Sequence, residues 1–372
     1  MRVLVVRSSA RMAGVERVIL ELIRHWRHQG VDVGLVAFYR RPPDGPAEHP
    51  LVQLARAHGL SAWTILDRGP WDMGVWRQFR NILQAVQPDV VHSHDYKSNW
   101  VVATFIPPNR HLVTVHGYTD ADHRQRLYRW IDRWVLRRVA WVVVPSQALA
   151  RELQERGYRS KDMTVIPYGL SETFFNGSGE QDTPLPARDA RVITFVGRCS
   201  PEKGGDVLLH AVAKLHHTRD VHLWMVGDGP HRGRWMALAR RLGVSDRVRF
   251  WGWQPSPVFY LRRSGMVVVP SRRESFGLSA LEAQWVKTPV IASRVGGLVE
   301  VVSPWGKLVR PGDVDALAAA IESWLLDPAQ AREAGERSGE WVQARFSLDA
   351  MVEGYIALLH RCFGTRPAGL DF

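Results

Sequence analysis

The segment RESFGLSALEAQW, residues 273–285, carries two glutamates, Glu274 and Glu282, directly after the apolar run GMVVVPSR. Paired carboxylates can serve as general acid and base, as in hydrolysis of a glycosidic bond. If residues 274–282 were all helical, however, the two carboxylates would lie about 12 Å apart along the axis. The spacing alone therefore favours two solvated helix glutamates and gives no support for a cooperating acid/base pair.

The start of the helix within this segment is a candidate binding feature. We expect a strand to end at Pro270, a loop to carry Glu274, and a helix to begin near Gly277 or Leu278. The backbone N–H groups of Phe276, Gly277 and Leu278 would then form an electropositive helix start, which suits phosphate or hydroxyl groups.

A second candidate is FVGRCSPEKGGDVLLHA, in which Arg198 and Lys203 follow a predicted strand and precede two glycines and a helix. Two cations beside a helix N-terminus supply the charges and N–H donors that a diphosphate requires. The spacing is not that of a P-loop, and a solvated loop with two surface cations explains the segment about as well. The glycine-rich MVGDGPHRGRW is weak support for a dinucleotide site, because its spacing is G-x-G-x-x-x-G.

The HSHD segment at 92–95 resembles a set of metal ligands, but one H-x-H with an aspartate is a weak signal. We expect no metal here: His94 is predicted to face an acceptor, and His92 to pack or cap. The other histidines, including His216 and His217, are expected on surfaces.

Alternating strands and helices must position these residues. Short apolar runs alternate with amphipathic helices, which is typical of parallel sheets with helical crossovers. The predicted strands of the first half are RVLVV, VDVGLVAF, PDVVHSH, HLVTVHG, WVVVPS and MTVIPYG. Those of the second half are RVITFVG, VHLWMVG, RVRFWG, MVVVPS, PVIAS and GKLV, with closing helices near 313–326 and 348–363.

The length of 372 residues and the composition predict two domains. We expect an N-terminal domain at 1–170, a linker at 171–190 without periodicity, a C-terminal domain at 191–345, and a C-terminal segment 346–372 that packs back toward the first domain. Ligands of open α/β sheets bind at the carboxyl ends of the strands, so the site is expected in the cleft between the domains.

Composition and charge limit the functional classes. Hydrophobic residues make up 45% and charged residues 23%, the balance of a globular protein. Two distant cysteines indicate no disulfide framework, and we expect no signal peptide or membrane span. The net charge of +12 favours anionic partners: phosphates, nucleic acid or an anionic membrane surface.

The second half resembles the retaining glycosyltransferases of family four. The resemblance rests on ESFGLSALE with PVIASRVGGLVE, and it continues through VGRCSPEKGGDVLLHA, MVGDGP, LGVSDRVRFWG and GKLVRPGDVDALAAAI. The first half matches more loosely, through AGVERV, DVVHSHD, VTVHG and VVPSQALA. The resemblance implies the GT-B fold, in which two Rossmann-like domains with parallel sheets face each other across a central cleft. It also implies that the domain at 1–170 binds the acceptor and that the domain at 191–345 binds the nucleotide sugar.

The resemblance also implies roles for the residues above. Arg198 and Lys203 would bind the diphosphate of a nucleotide sugar, and Glu274 would accept hydrogen bonds from the donor sugar. Glu282 would accept the ribose hydroxyls, and the amides of Phe276, Gly277 and Leu278 would contact sugar and phosphate. In the first domain, Gly14 would let a loop approach the donor phosphate, and His116 would lie beside the reacting sugar.

The implied reaction is front-face substitution, in which the departing phosphate accepts the acceptor's proton. It needs no metal, no cofactor and no carboxylate base. The expected partners are a UDP- or GDP-sugar donor and a glycan or lipid-linked acceptor of bacterial surface polysaccharide or lipopolysaccharide, and no nucleic acid. The expected location is cytoplasmic, with the inner face of the cytoplasmic membrane as a candidate surface.

This chain departs from the family pattern at two loops. Ala13–Gly14 stands where the family often has two glycines, and Pro167–Tyr168–Gly169 replaces a P-N-G turn. Neither departure removes a charge that the mechanism needs.

Residues 123–138, HRQRLYRWIDRWVLRR, predict a helix rich in arginine and tryptophan. It could lie at an anionic membrane surface, or bury its aromatic stripe against the sheet, and we favour packing. With Trp71 and Trp76 it offers candidate contacts for a lipid-linked acceptor.

Two other functions remain as alternatives: a nucleotide-sugar epimerase of the same fold, and a basic protein that binds nucleic acid without catalysis. The second is disfavoured because no nucleic-acid-binding module is visible.

Overall fold

A computed structural model describes residues 1–43, 45–69, 72–117, 132–139, 141–158, 163–175, 188–215 and 220–364. The chain divides into two compact units. Unit 1 comprises Met1–Gly169 and the segment from Leu348, and unit 2 comprises Leu170–Ser347. The following lie outside the described residues: Trp71, His216, His217, most of the segment predicted as a linker, and residues 123–131 of the arginine-rich segment.

Unit 1 is built on a seven-stranded parallel sheet with the strand order β3-β2-β1-β4-β5-β6-β7. Its strands are β1 (Arg2–Ser9), β2 (Asp32–Tyr39), β3 (Ser61–Leu66), β4 (Val90–Ser93), β5 (His111–Thr114), β6 (Trp141–Val144) and β7 (Met163–Val165). The helices between them are α1 (Gly14–His28), α2 (Pro50–Ala57), α3 (Met73–Val86), α4 (Tyr96–Ala103) and α5 (Gln147–Glu155).

Unit 2 contains a six-stranded parallel sheet with the order β10-β9-β8-β11-β12-β13. Its strands are β8 (Asp189–Val196), β9 (His222–Val226), β10 (Val248–Gly252), β11 (Ser264–Val269), β12 (Val290–Ser293) and β13 (Lys307–Val309). Its helices are α6 (Gly205–Lys214), α7 (Arg232–Arg241), α8 (Val258–Arg263), α9 (Leu278–Trp285), α10 (Leu298–Val301), α11 (Val314–Leu326) and α12 (Pro328–Arg345). Short 3-10 turns occur at Pro108–Arg110, Glu172–Phe175 and Pro201–Lys203.

The last helix, α13 (Leu348–Phe363), belongs to unit 1. Tyr355 on this helix packs edge-on against Trp26 of α1 at 5.7 Å between ring centroids. Its hydroxyl lies 3.0 Å from the Thr114 Oγ1 at the end of β5. Helix α13 therefore covers the sheet beneath the histidines of β4 and β5.

The strands form because they are nearly continuous apolar runs, as expected for parallel strands buried on both faces. Val3–Val6 of β1 and Val267–Val268 of β11 are fully buried. Each such side chain contributes about 1.5–3 kcal/mol by burial. The two parallel sheets with helical crossovers confirm the predicted α/β class.

The arginine-rich segment is described only from residue 132. There the residues 132–138 are helical, Val135 and Leu136 are buried, and Trp134 is exposed with the Arg138 guanidinium 4.2 Å from its ring. The described part of this helix therefore packs through Val135 and Leu136 and exposes the ring of Trp134. No helix in the described ranges combines the length and the apolar character needed to cross a bilayer.

Candidate functional site

Each sheet contains one topological switch point, where the chain leaves neighbouring strands in opposite directions and ligands characteristically bind. In unit 1 it lies between β1 and β4, and in unit 2 between β8 and β11. The residues singled out in the sequence follow these four strands, with the exception of His116, which follows β5. The strand order therefore makes neighbours of loops that are far apart in the chain.

In unit 2 the switch point brings Lys203 and Glu274 together. The Lys203 Nζ donates to the Glu274 Oε2 at 2.6 Å, and the Ser271 hydroxyl donates to the same oxygen at 3.2 Å. The side chain of Glu274 is 12% exposed and that of Lys203 is 26% exposed. The carboxylate of this half-buried ion pair can accept hydrogen bonds from sugar hydroxyls, and its ammonium group can donate hydrogen bonds to a phosphate.

The two loops that carry this pair are held together by further bonds. Arg272 forms a bidentate pair with Asp206, at 2.8 and 2.7 Å, and donates to the Pro201 carbonyl at 2.8 Å. Its backbone N–H donates to the Glu202 carbonyl at 2.7 Å. Bidentate arginine–carboxylate pairs fix orientation as well as distance, so the positions of Lys203 and Glu274 are set by the loops rather than by their own flexible side chains.

Two glycines allow these loops to approach each other. Gly204 has φ +67°, and a Cβ there would overlap the Pro270 carbonyl oxygen. Gly296 has φ +51°, and a Cβ there would overlap the carbonyl oxygen of Glu274. Both positions combine a left-handed backbone with close packing, which only glycine tolerates.

Unsatisfied donors surround the ion pair. Arg198 is exposed, and its guanidinium has no hydrogen-bond or ion-pair partner among the described residues. Helix α9 begins at Leu278, as predicted, and no described residue accepts a hydrogen bond from the N–H of Gly277 or Leu278. The Phe276 side chain is buried, with its ring 6.0 Å from that of Phe346, so only its backbone could serve a ligand.

Glu282 lies on the same helix and is 4% exposed. Because Glu274 stands in the loop and Glu282 within the helix, the two carboxylates belong to different surroundings. Glu274 is paired with Lys203, and Glu282 is buried among the side chains of α9. That the two glutamates are not an acid/base pair stays a prediction.

The glycine-rich loop after β9 has a structural role. The Cys199 N–H donates to the Asp228 carbonyl at 3.0 Å, and the His231 N–H donates to the Cys199 carbonyl at 2.9 Å. Gly227 and Gly229 therefore lie directly against the loop of Arg198. Burial raises the pKa of the Cys199 thiol to about 11, so this cysteine is an unreactive packing residue.

In unit 1, three aromatic side chains beside the carboxyl ends of the strands form a chain of hydrogen bonds. The His94 Nδ1 lies 3.0 Å from the His116 Nε2, with the two rings stacked at 12° between their planes. The His116 Nδ1 is hydrogen-bonded to the Tyr168 hydroxyl. Burial holds the pKa of His94 and of His116 well below the usual value, and the nearby Arg7 lowers both further. Both rings are therefore neutral at pH 7.

A neutral chain of this kind has two tautomeric arrangements. If the His94 Nδ1 carries the proton, the His94 Nε2 is an acceptor; if the His116 Nε2 carries it, the His94 Nε2 is a donor. The His94 Nε2 is buried and has no hydrogen-bond partner among the described residues. Other atoms of His94 line a cavity.

His92 is a packing residue, as predicted. Its ring lies between those of Trp26 and Tyr355, at centroid distances of 5.9 and 5.6 Å. The His92 Nε2 bonds the Thr114 Oγ1 at 2.7 Å. Across the described ranges, no cluster of histidine, cysteine, aspartate or glutamate has the arrangement of a metal site.

The cavity at the unit 1 switch point has a volume of about 410 Å³. The ends of β1 and β4 form its floor, and the lining includes Arg7, Arg40, His94, Asp95 and His116. Arg7 is paired with the buried Glu16 at 2.8 Å and donates to the His94 carbonyl at 2.7 Å. Gly14 begins α1, and the Ala13 N–H donates to the Glu16 carboxylate at 3.0 Å.

Several residues of these sites were not singled out from the sequence. Tyr168 was considered only as the loss of a turn asparagine, yet its hydroxyl binds His116. The sequence also did not single out a buried ion pair in the cavity wall, formed by Lys97 and Asp67. Lys97 follows a segment predicted as a strand, and Tyr168 lies at the end of another, so the end of a strand was the available signal for these two. Asp67 follows β3, which was not among the predicted strands, so no such signal marked it.

Comparison with known proteins identifies two family models. The model of the glycosyl transferases group 1 matches residues 180–341. The model of glycosyltransferase family 4 matches residues 12–173. Together they contain the unit 2 loops and the part of the unit 1 cavity that follows residue 12.

The chain is similar to curated proteins along most of its length. It is 29% identical over 293 residues to the lipopolysaccharide core biosynthesis glycosyltransferase LpsD of Rhizobium meliloti (strain 1021), with 78% of this chain and 80% of the relative covered. It is 30% identical over 325 residues to the N-acetyl-alpha-D-glucosaminyl L-malate synthase of Bacillus anthracis, with 80% and 81% covered.

Among solved structures, the chain resembles Anabaena Alr3699/HepE in complex with UDP and glucose. The TM-score is 0.79 at 20% sequence identity, with 96% of this chain and 99% of that chain covered. This likeness, together with the two parallel sheets, confirms the GT-B fold.

Proposed function

This chain belongs to the glycosyl transferases group 1 of family 4, and we propose that it moves a sugar from a UDP- or GDP-sugar to a glycan or lipid-linked saccharide with retention of the anomeric configuration. Its membership makes it a glycosyltransferase. The donor, the stereochemistry and the acceptor are the proposed part.

The observation that carries the proposal is the Lys203–Glu274 pair between the two unit 2 loops. A nucleotide diphosphate sugar joins two kinds of group, anionic phosphates and neutral hydroxyls. The ammonium of Lys203 and the guanidinium of Arg198, which has no partner among the described residues, suit the phosphates. The Glu274 carboxylate suits the sugar hydroxyls. The N–H groups of Gly277 and Leu278 add donors at a helix start.

Glu282 is proposed to accept both ribose hydroxyls. Its burial supports this role, because a carboxylate shielded from water forms stronger hydrogen bonds than an exposed one. Gly14, at the first turn of α1, is proposed to present backbone N–H groups to the donor phosphate.

The transfer of the sugar is proposed to proceed by front-face substitution. Arg198 and Lys203 would stabilise the negative charge that develops on the departing diphosphate, and that phosphate would take the proton of the acceptor hydroxyl. His116 is proposed to hydrogen-bond the transferred sugar. Both of its ring nitrogens are hydrogen-bonded, to His94 and to the Tyr168 hydroxyl, so the sugar would replace one of these partners. The neutral state of His116, due to burial, suits a hydrogen bond to a hydroxyl and adds no charge to repel a forming cation. No metal is required by these steps.

The acceptor is proposed to belong to bacterial surface polysaccharide or lipopolysaccharide. The similarity to a lipopolysaccharide core glycosyltransferase supports this class. We further propose a cytoplasmic enzyme that associates with the inner face of the membrane, supported by the net charge of +12 and by the exposed Trp134 beside Arg138.

The test is a thermal-shift panel of UDP-, GDP-, ADP- and dTDP-sugars, since a ligand that binds only the native state raises the melting temperature. A UDP- or GDP-sugar should give the largest shift, with or without EDTA. Proton NMR of that donor with acceptor should then show a product with the donor's anomeric configuration. Inverted product, or an epimer formed from donor alone, would contradict the proposal.

A further inference from the structure

The unit 1 cavity contains a buried ion pair that the roles above do not use. Lys97, at the start of α4, is 8% exposed, and Asp67, directly after β3, is 6% exposed. The Lys97 Nζ donates to the Asp67 Oδ1 and, at 2.6 Å, to the Gly69 carbonyl. A buried ion pair contributes little net stability compared with apolar side chains, so its place in a cavity wall suggests a binding role.

The described lining of the cavity is charge-balanced, although the protein as a whole is strongly basic. Among the described residues, three cationic residues and three carboxylates line it: Arg7, Arg40, Lys97, Asp67, Asp95 and Asp132. Most of them are already paired or hydrogen-bonded. Asp95 caps α4 and accepts from the Ser8 N–H at 2.6 Å, and Asp132 accepts from the Asn99 amide at 2.7 Å.

A phosphate or carboxylate placed on the floor of this cavity would meet the carboxylates of Asp67 and Asp95. Because the floor is shielded from water, that repulsion would be poorly screened. Only Arg40, which is exposed, has a charge without a partner among the described residues. The floor therefore disfavours an anionic group.

The floor retains capacity for hydrogen bonds of both kinds. The Asp67 Oδ2 accepts no hydrogen bond from the described residues, and the Lys97 ammonium has a third N–H beyond the two in use. The Asp67 carboxylate and the Lys97 ammonium group together match adjacent hydroxyl groups, because each hydroxyl donates once and also accepts.

We propose that this cavity is the acceptor subsite and that it binds an uncharged sugar through adjacent hydroxyls. One hydroxyl donates to the Asp67 Oδ2, and its neighbour accepts from the Lys97 Nζ. The inference rests on the proposed function and adds the class of acceptor: the sugar that enters this cavity is neutral, and Asp67 and Lys97 determine its recognition.

The test is an NMR titration of the full chain with simple glycosides. The neutral probes are the methyl α-glycosides of glucose, galactose and mannose, and the acidic probes are methyl α-glucuronoside and glucose 6-phosphate. At least one neutral glycoside should bind, and its acidic counterparts should bind more weakly. Asp67→Asn should weaken the binding of the neutral glycoside about tenfold, since it removes a charged hydrogen-bond acceptor. Asp32→Asn, which breaks an exposed ion pair in the same unit, is the matched control and should change nothing.

The inference is overturned if no neutral glycoside binds, if an acidic sugar binds as tightly, or if the two variants behave alike. The comparison of neutral with acidic probes needs no variant, so it holds even if Asp67→Asn does not fold. UDP-glucose and GDP-mannose titrated into the same samples separate this inference from the proposed function. Donor binding without glycoside binding refutes the cavity assignment alone, and glycoside binding without donor binding refutes the proposed function alone.

Discussion

Acidification should destabilise unit 1 through its buried histidines. Burial lowers the pKa of His92 and of His111 from 6.5 to about 3. Between those values the unfolded chain binds a proton that the folded chain does not, so stability falls as pH decreases. The stability is fully present above about pH 6.5 and is lost progressively toward pH 3.

The magnitude follows from those values. At pH 5, a histidine whose pKa is lowered from 6.5 to about 3 by folding decreases the free energy of unfolding by about 2 kcal/mol. The two residues together give about 4 kcal/mol, or roughly a thousandfold in the opening equilibrium. His94 and His116, whose pKa is also lowered by burial, act in the same direction.

Hydrogen exchange measured by mass spectrometry can resolve this effect within unit 1. Amides of β4 should lose protection by roughly a thousandfold from pH 7 to pH 5, after correction for the intrinsic exchange rate. His111→Gln should roughly halve the loss of free energy, because Gln does not titrate and can still reach the Ser93 hydroxyl, which lies 2.7 Å from the His111 Nε2. His28→Gln, at an exposed position on α1, is the control. Equal protection at both pH values, or identical behaviour of the two variants, would refute the reasoning.

The remaining predictions concern the loops. Gly296→Ala should lower the free energy of unfolding, measured in urea, more than Gly312→Ala does. Both glycines have positive φ, which costs alanine about 1 kcal/mol in itself, but only at Gly296 would a Cβ collide with backbone atoms. Equal losses would contradict the packing argument. Arg272→Lys should raise the Michaelis constant for the donor several-fold, because a lysine cannot form the bidentate pair with Asp206; unchanged kinetics would show that the pair does not position the loop. Tyr168→Phe should lower turnover more than donor affinity, since it removes the partner of a proposed sugar-binding histidine, and equal kinetics would count against that role.

The fold class could be predicted from the sequence because its signal is local. The apolar runs of β1, β8 and β11 and the helix start at Leu278 are visible in the order of residues. Helix α12 was missed for a physical reason. Its buried face consists of small residues, among them Gly335 and Gly339, which pack against Lys287, and small residues leave no hydrophobic periodicity.

The geometry of the site depends on strand order, which the sequence does not state. Lys203 and Glu274 could each be located after a strand, but their contact requires β8 and β11 to be neighbours. The bonds of Arg272 to Asp206 and to the Pro201 carbonyl depend on the same pairing. Tyr168 shows a further limit, because its hydroxyl acts on His116 from a loop that the family pattern assigns to a turn.

The central claim is that the Lys203–Glu274 pair of unit 2 binds the donor, and calorimetric titration of the best nucleotide sugar tests it most directly. Lys203→Ala should raise the dissociation constant by about tenfold or more, because it removes a charge-assisted contact with phosphate. Lys214→Ala, which removes a lysine that is ion-paired with Asp315 elsewhere in unit 2, should leave it unchanged. Equal affinity of the wild-type protein and Lys203→Ala would contradict the account.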